Sequence, residues 1–171
     1  MTELNDIYDK NRNRTGRVHK RGTPWRFGEY GLVVCVWIYD GNGKLLLTKR
    51  APEKSFGGTW ENTGGAARAG ENSLEAIARE VFEETGIRAD MSAFALLGAT
   101  TRRRLHFDHY CLKSAVAVED IILQPGETVD ADWFSFEEVH TLIQKRKMCR
   151  VIAQQFLNFE DDLRKLNKQN S

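Results

Sequence analysis

Residues 65–87, GAARAGENSLEAIAREVFEETGI, decide how the rest of the chain is read. Gly64, Gly65 and Gly70 permit backbone conformations closed to residues with a Cβ, which predicts a tight turn. Asn72 or Ser73 can cap the first amides of a following helix. Leu74, Ile77, Ala78 and Val81 recur at three- and four-residue spacing and form one apolar helical face. Glu80, Glu83 and Glu84 share another face. Carboxylates this close repel one another, and a bound divalent ion would relieve the repulsion. Hard oxygen donors of this kind suit Mg²⁺ or Mn²⁺. An acidic helix face that is simply solvated is the alternative. Arg79 sits beside the carboxylates and Glu71 two turns before it, so a pair between them would fix the helix against the loop that leads into it.

Working outward, Tyr30–Tyr39 is β-branched and aromatic and reads as a buried central strand. Asp40–Gly43 supplies residues that tolerate positive φ and predicts a hairpin turn. Lys44–Arg50 returns as a second strand, with Arg50 and Lys54 at its end; they either hold phosphate or cap the strand, and we favour phosphate for Arg50. Ser55–Gly65 reads as a loop anchored by Trp60. Ala93–Thr101 and Leu105–Val118 read as strands around the run Arg102-Arg103-Arg104, which is either a solvated turn or a phosphate contact. His106 and His109 are three apart in a strand and so point to opposite faces. Ser135 with Glu138 fits a capping box. From Cys149 to about 168, Ile152, Phe156, Phe159, Leu163 and Leu166 mark an amphipathic helix, which packs on the sheet or forms a dimer seam.

Residues 1–28 are polar and basic. They read as a solvated arm packed through Ile7, Tyr8, Val18 and Trp25, or as an electropositive lid over a phosphate-bearing substrate. His19 stands alone there and makes a poor metal ligand.

The chain has 171 residues, enough for one domain with a real core. With 41% hydrophobic and 29% charged residues it has a globular composition, and a net charge of +1 gives no global attraction to nucleic acid or membrane. Its three cysteines form neither a CxxC pair nor a zinc pattern. Reduced thiols and the lack of an apolar leader point to the cytoplasm.

Gly65, Glu71, Arg79, Glu80, Val81, Glu83, Glu84, Gly86 and Ile87 fill every signature position of the Nudix box, which this stretch resembles. The resemblance implies a Nudix α/β/α sandwich with a mixed sheet, of the α/β (α+β) class, over residues 29–160. Residues 1–28 form the arm and 161–171 the end of the last helix. It also implies a hydrolase that uses Mg²⁺ or Mn²⁺ to cleave a pyrophosphate bond in a nucleoside diphosphate linked to another group. The partner is then a small molecule rather than a nucleic acid polymer or a membrane, with a homodimer as one assembly. By the same resemblance, Glu80, Glu83, Glu84 and the Gly64 carbonyl ligate metal, and Glu71 and Arg79 support the site. Glu84 is essential, and Glu83 or Glu127 takes the proton from water; Arg50 is the substrate contact by its place at a strand end that leads toward the glutamate helix, not by the resemblance. Glu127, six residues before Trp133, is the loop carboxylate, with Glu119 and Asp120 as alternates.

Residues 6–22, together with "VWIYDGNGKLLLTKR" and "FGGTWENTGG", look like the isopentenyl-diphosphate isomerase branch of the same superfamily. That isomerase needs a cysteine and a histidine on either side of the box glycine, where this chain has Gly64 and Ala66. No thiol is available there to move a proton on carbon, so the ancestry is isomerase-like and the chemistry is not. The other alternative, a non-catalytic nucleotide sensor, fits poorly with a box that retains all its glutamates.

Overall fold

The computed structural model describes residues 3–168. A hairpin of β1 (Leu4–Tyr8) and β2 (Arg14–Lys20) precedes a seven-stranded mixed sheet. The sheet comprises β3 (Gly31–Tyr39), β4 (Lys44–Arg50), β5 (Trp60–Glu61), β6 (Thr63–Ala66), β7 (Phe94–Arg102), β8 (Leu105–Lys113) and β9 (Thr128–Ser135). The main path runs β5-β4-β3-β8-β7, with β6 on β3 and β9 on β4. The β3–β8 pair is parallel and the others are antiparallel. Three helices lie among the described residues: α1 (Ser73–Thr85), α2 (Phe136–Gln144) and α3 (Arg150–Lys168).

The central strand β3 is buried on both faces, which is why it reads as an unbroken apolar run. Val34, Val36 and Ile38 meet Ala76, Ile77 and Val81 of α1. Trp37 and Tyr39 face the other way, against Phe136 and Val139 of α2 and Ile152, Phe156 and Leu163 of α3. The result is a three-layer arrangement, α1 on one face and α2 with α3 on the other, as the sequence predicts.

Three readings need correction. β6 lies in a segment read as loop; Thr-Gly-Gly-Ala has little intrinsic strand preference, and its conformation comes from pairing with β3 over Val33–Val36. The segment before the Ser135 cap has no strand reading from sequence, yet as β9 it pairs with β4 along its length. The basic arm is a β-hairpin that buries Ile7 and Tyr8 and bridges Tyr8 to Tyr30, while Val18 is exposed. His19 stacks on Trp25, centroids 3.7 Å apart. His106 packs on Tyr30 and His109 on Phe159, on opposite faces as expected. Among the described residues no helix is long and apolar enough to cross a membrane.

Candidate active site

α1 is placed by its two ends. Asn72, not Ser73, is the N-cap; its side chain accepts from the amides of Leu74 and Glu75, and Glu75 completes a capping box. The Ser73 hydroxyl instead donates to Asp108 at 2.5 Å. At the other end Gly86 takes the left-handed conformation (φ 73°) and its amide donates to the Phe82 carbonyl.

The approach of the β6 turn to α1 explains the paired glycines. A Cβ on Gly65 would lie 2.4 Å from Glu80 Oε1. One on Gly64 would lie 2.2 Å from the Val34 carbonyl oxygen, which is backbone and has nowhere to move. The hairpin reinforces the same loop: Asn5 donates to the Ala67 carbonyl, the Ala69 amide to Leu4 and the Gly70 amide to Asp6.

Arg79 is the hub. Its guanidinium donates to Glu71 at 2.6 and 2.9 Å, to Glu80 at 2.8 Å and to Glu83 at 3.0 Å. Burial opposes its charge, but the Glu71 and Glu80 carboxylates outweigh that and hold its pKa above the usual value. Glu83 also accepts from Arg68 at 3.1 Å. Burial raises the pKa of Glu80, against the pull of Arg79. Glu84 is 7% exposed, and its one hydrogen bond is a long 3.4 Å contact from the Gly64 amide. Burial first, then the neighbouring carboxylates Glu80 and Glu61, push its pKa well above the ordinary value.

These groups line a cavity of about 620 Å³ together with Gly64, Gly65, Arg50 and Glu127. Every residue placed at the site from sequence lies in or beside this cavity. Glu119 and Asp120, the alternates to Glu127, sit in a short 3₁₀ turn and do not line it. Arg50 is already engaged, donating to Glu61 at 2.5 and 2.7 Å and to the Ser55 carbonyl at 2.7 Å. Glu127 pairs with Lys54. Sequence reasoning missed Glu61 and Glu3; Arg21, one of the basic residues of the arm, reaches the cavity rim in an ion pair with Glu3. Nothing in their local sequence marks the two glutamates; Glu61 needs the β4–β5 register and Glu3 the hairpin's docking. Arg102, Arg103 and Arg104 lie away from the cavity, and Arg104 holds the Trp25 carbonyl at 3.1 Å.

A family profile described as the NUDIX domain matches residues 29–155. The chain belongs to the Nudix family. An uncharacterized Nudix hydrolase of Listeria monocytogenes is 34% identical over 160 residues, covering 90% of each chain. The isopentenyl-diphosphate Delta-isomerase of Pectobacterium atrosepticum is 30% identical over 142 residues, covering 78% of this chain and 76% of the isomerase. The crystal structure of DR0079 from Deinococcus radiodurans superposes with a TM-score of 0.76 at 22% identity, covering 91% of this chain and 98% of that one, a likeness of fold. Nudix hydrolases act on pyrophosphate bonds and generally use divalent metal ions.

Among the described residues no three acidic, histidine or cysteine side chains converge to metal-binding distance. Glu80 and Glu83 are turned toward arginines. The donor set nevertheless suits a hard divalent ion: Glu84 is a buried carboxylate that no cation compensates, and Glu80, Glu83 and the Gly64 backbone border the same cavity.

Proposed function

We propose that this Nudix protein hydrolyses the pyrophosphate bond of a nucleoside diphosphate linked to a second group, with Mg²⁺ or Mn²⁺ held by Glu80, Glu83, Glu84 and the Gly64 carbonyl. The observation that carries this reading is Glu84: a buried carboxylate with one long hydrogen bond is costly unless an ion pairs with it. When bound, the divalent ion neutralises charge on the phosphates and makes a water more acidic. Arg79 keeps Glu80 and Glu83 at the cavity wall and Glu71 keeps Arg79 in place, so Glu71 and Arg79 position the ligands and do not touch substrate. Glu83 carries two arginine contacts and Glu127 one lysine contact. Glu127 has the fewer contacts to release before it reaches a water, so we assign it the proton of the attacking water. Arg50 faces the same cavity; its pairing with Glu61 fits a fixed guanidinium beside the phosphates.

Isomerase chemistry is not favoured. The cysteine it requires would stand at Gly64, where a Cβ meets the Val34 carbonyl. Three free, buried cysteines support a reducing, cytosolic setting, and the substrate is a small molecule.

The test is a panel of ADP-ribose, dinucleotides, nucleotide sugars and coenzyme A with Mg²⁺ or Mn²⁺, reading the phosphate products. Metal-dependent cleavage of at least one member, lost in Glu84→Gln, is expected. Cleavage of none, or conversion of isopentenyl diphosphate to its isomer, would overturn the reading.

A further inference from the structure

Arg68 lines the carboxylate cavity but fills no signature position of the Nudix box, falling between Gly65 and Glu71. Its backbone is fixed and its side chain is not. The Arg68 amide donates to the Glu71 carboxylate at 2.9 Å. On either side, the Ala67 amide donates to the Leu32 carbonyl at 3.0 Å and the Ala69 amide to the Leu4 carbonyl at 2.8 Å. Among the described residues the guanidinium has one partner, Glu83 at 3.1 Å, and the side chain is 45% exposed. Arg79 differs on each count: it is 15% exposed and also holds Glu71, Glu80 and the Ala66 carbonyl.

Both guanidinium groups donate to the same oxygen of Glu83, Oε2, and that carboxylate is one of the proposed metal ligands. An exposed ion pair with a single contact is weak and exchanges readily. A divalent ion brings twice the charge of a guanidinium to the same oxygen. Of the two arginines Arg68 is the one free to leave, because nothing else holds its tip. Once off Glu83 it stays in the cavity beside Gly64, Gly65 and Arg50, on a loop whose backbone is tied down on both sides. A guanidinium suits the oxygens of a phosphate, which it can hold with two parallel N–H bonds.

We propose that Arg68 is a substrate contact that shares Glu83 with the divalent ion. In the metal-free protein it rests on that carboxylate; in the loaded protein it turns to a phosphate oxygen of the substrate. This role rests on the hydrolase reading of the cavity. It makes Arg68 a competitor of the metal for Glu83 and an ally of the metal toward a diphosphate.

The test measures Mn²⁺ affinity by paramagnetic resonance with no phosphate ligand present. It then titrates the Mg²⁺-saturated protein by calorimetry with the magnesium salt of methylenediphosphonate, whose carbon bridge resists hydrolysis. Arg68→Gln, at an exposed position, is expected to bind Mn²⁺ roughly threefold more tightly than wild type. It should bind methylenediphosphonate about tenfold more weakly. Arg68→Lys keeps the charge without the planar fork and should lie between the two on both measures. Arg21→Gln removes a rim cation that pairs with Glu3 rather than with a proposed ligand, so its Mn²⁺ affinity should stay within about twofold of wild type. Weaker Mn²⁺ binding in Arg68→Gln would make Arg68 a prop for Glu83 and overturn the role. Equal tightening in Arg21→Gln, unchanged diphosphonate affinity in Arg68→Gln, or no diphosphonate binding by loaded wild type would do the same. Mn²⁺ binding that Glu84→Gln abolishes, with Arg68→Gln indistinguishable from wild type, overturns this role alone. No Mn²⁺ binding by wild type overturns the hydrolase reading with it.

Discussion

The two faces of the sheet are built on opposite principles. Toward α3, Trp37, Phe156 and Leu163 are fully buried, and stability comes from apolar area removed from water. Toward α1, an apolar floor of Val34, Ile77 and Val81 carries a layer of charge above it: Glu71, Arg79, Glu80, Glu83 and Glu84. The first face gains by excluding polar groups. The second retains carboxylates where they are costly, and only part of that cost is offset by Arg79. The face that carries the proposed site is the one where the fold is least comfortable.

Breaking the charged face should cost activity before it costs stability. Replacing Glu84 with Gln forfeits several kcal/mol of charge stabilisation, a fall in turnover of about a thousandfold, while circular dichroism stays native. Phe156→Ala should do the reverse, destabilising the protein by about 3–5 kcal/mol in urea titration with Mn²⁺ affinity retained in the folded fraction. Arg79→Gln lies between the two. It leaves partly buried carboxylates without their cation and should cost about 3 kcal/mol, together with weaker metal binding by calorimetry.

The two glycines sharpen the comparison. Gly64→Ala presses on the Val34 backbone and should lower stability by about 1–3 kcal/mol. Gly65→Ala presses on a Glu80 carboxylate that can swing away, so its main effect should be on metal affinity. If both substitutions lower stability equally, the distinction between rigid floor and adjustable ligand fails.

The smallest effect is a pH dependence. Burial raises the Glu84 pKa in the folded state, so the folded protein binds more protons than the unfolded one just above the ordinary carboxylate value, and metal-free stability falls through that window as pH rises. His109, held down to about 4 by burial, works in the opposite sense between about 4 and its ordinary value. Comparing wild type with Glu84→Gln cancels the histidine. The variant's melting temperature should match wild type near pH 4 and exceed it by a few degrees at pH 8, since about 1 kcal/mol moves a chain of this size by roughly 2–4 °C. Saturating Mg²⁺ should close the gap by stabilising only the wild type.

Much of this was legible because it is local. The Glu71–Arg79 pair, the Ser135–Glu138 capping box and the shared face of Glu80, Glu83 and Glu84 are set by spacing over a few residues, which a sequence displays directly. Arg50 shows where that ends. It reads as a free cation aimed at phosphate, but strand register sets Glu61 against it, and no short-range pattern announces that pairing.

The sequence by itself determined the carboxylate helix, the buried strand β3 and the amphipathic α3, because periodicity and turn chemistry act over a few residues. Tertiary structure decided that Thr63–Ala66 is a strand, that the basic arm is a hairpin holding the loop before α1, and that Glu84 is buried while its neighbours are paired. Those outcomes depend on which distant backbone or charge is brought alongside, and only the packed chain supplies that neighbour.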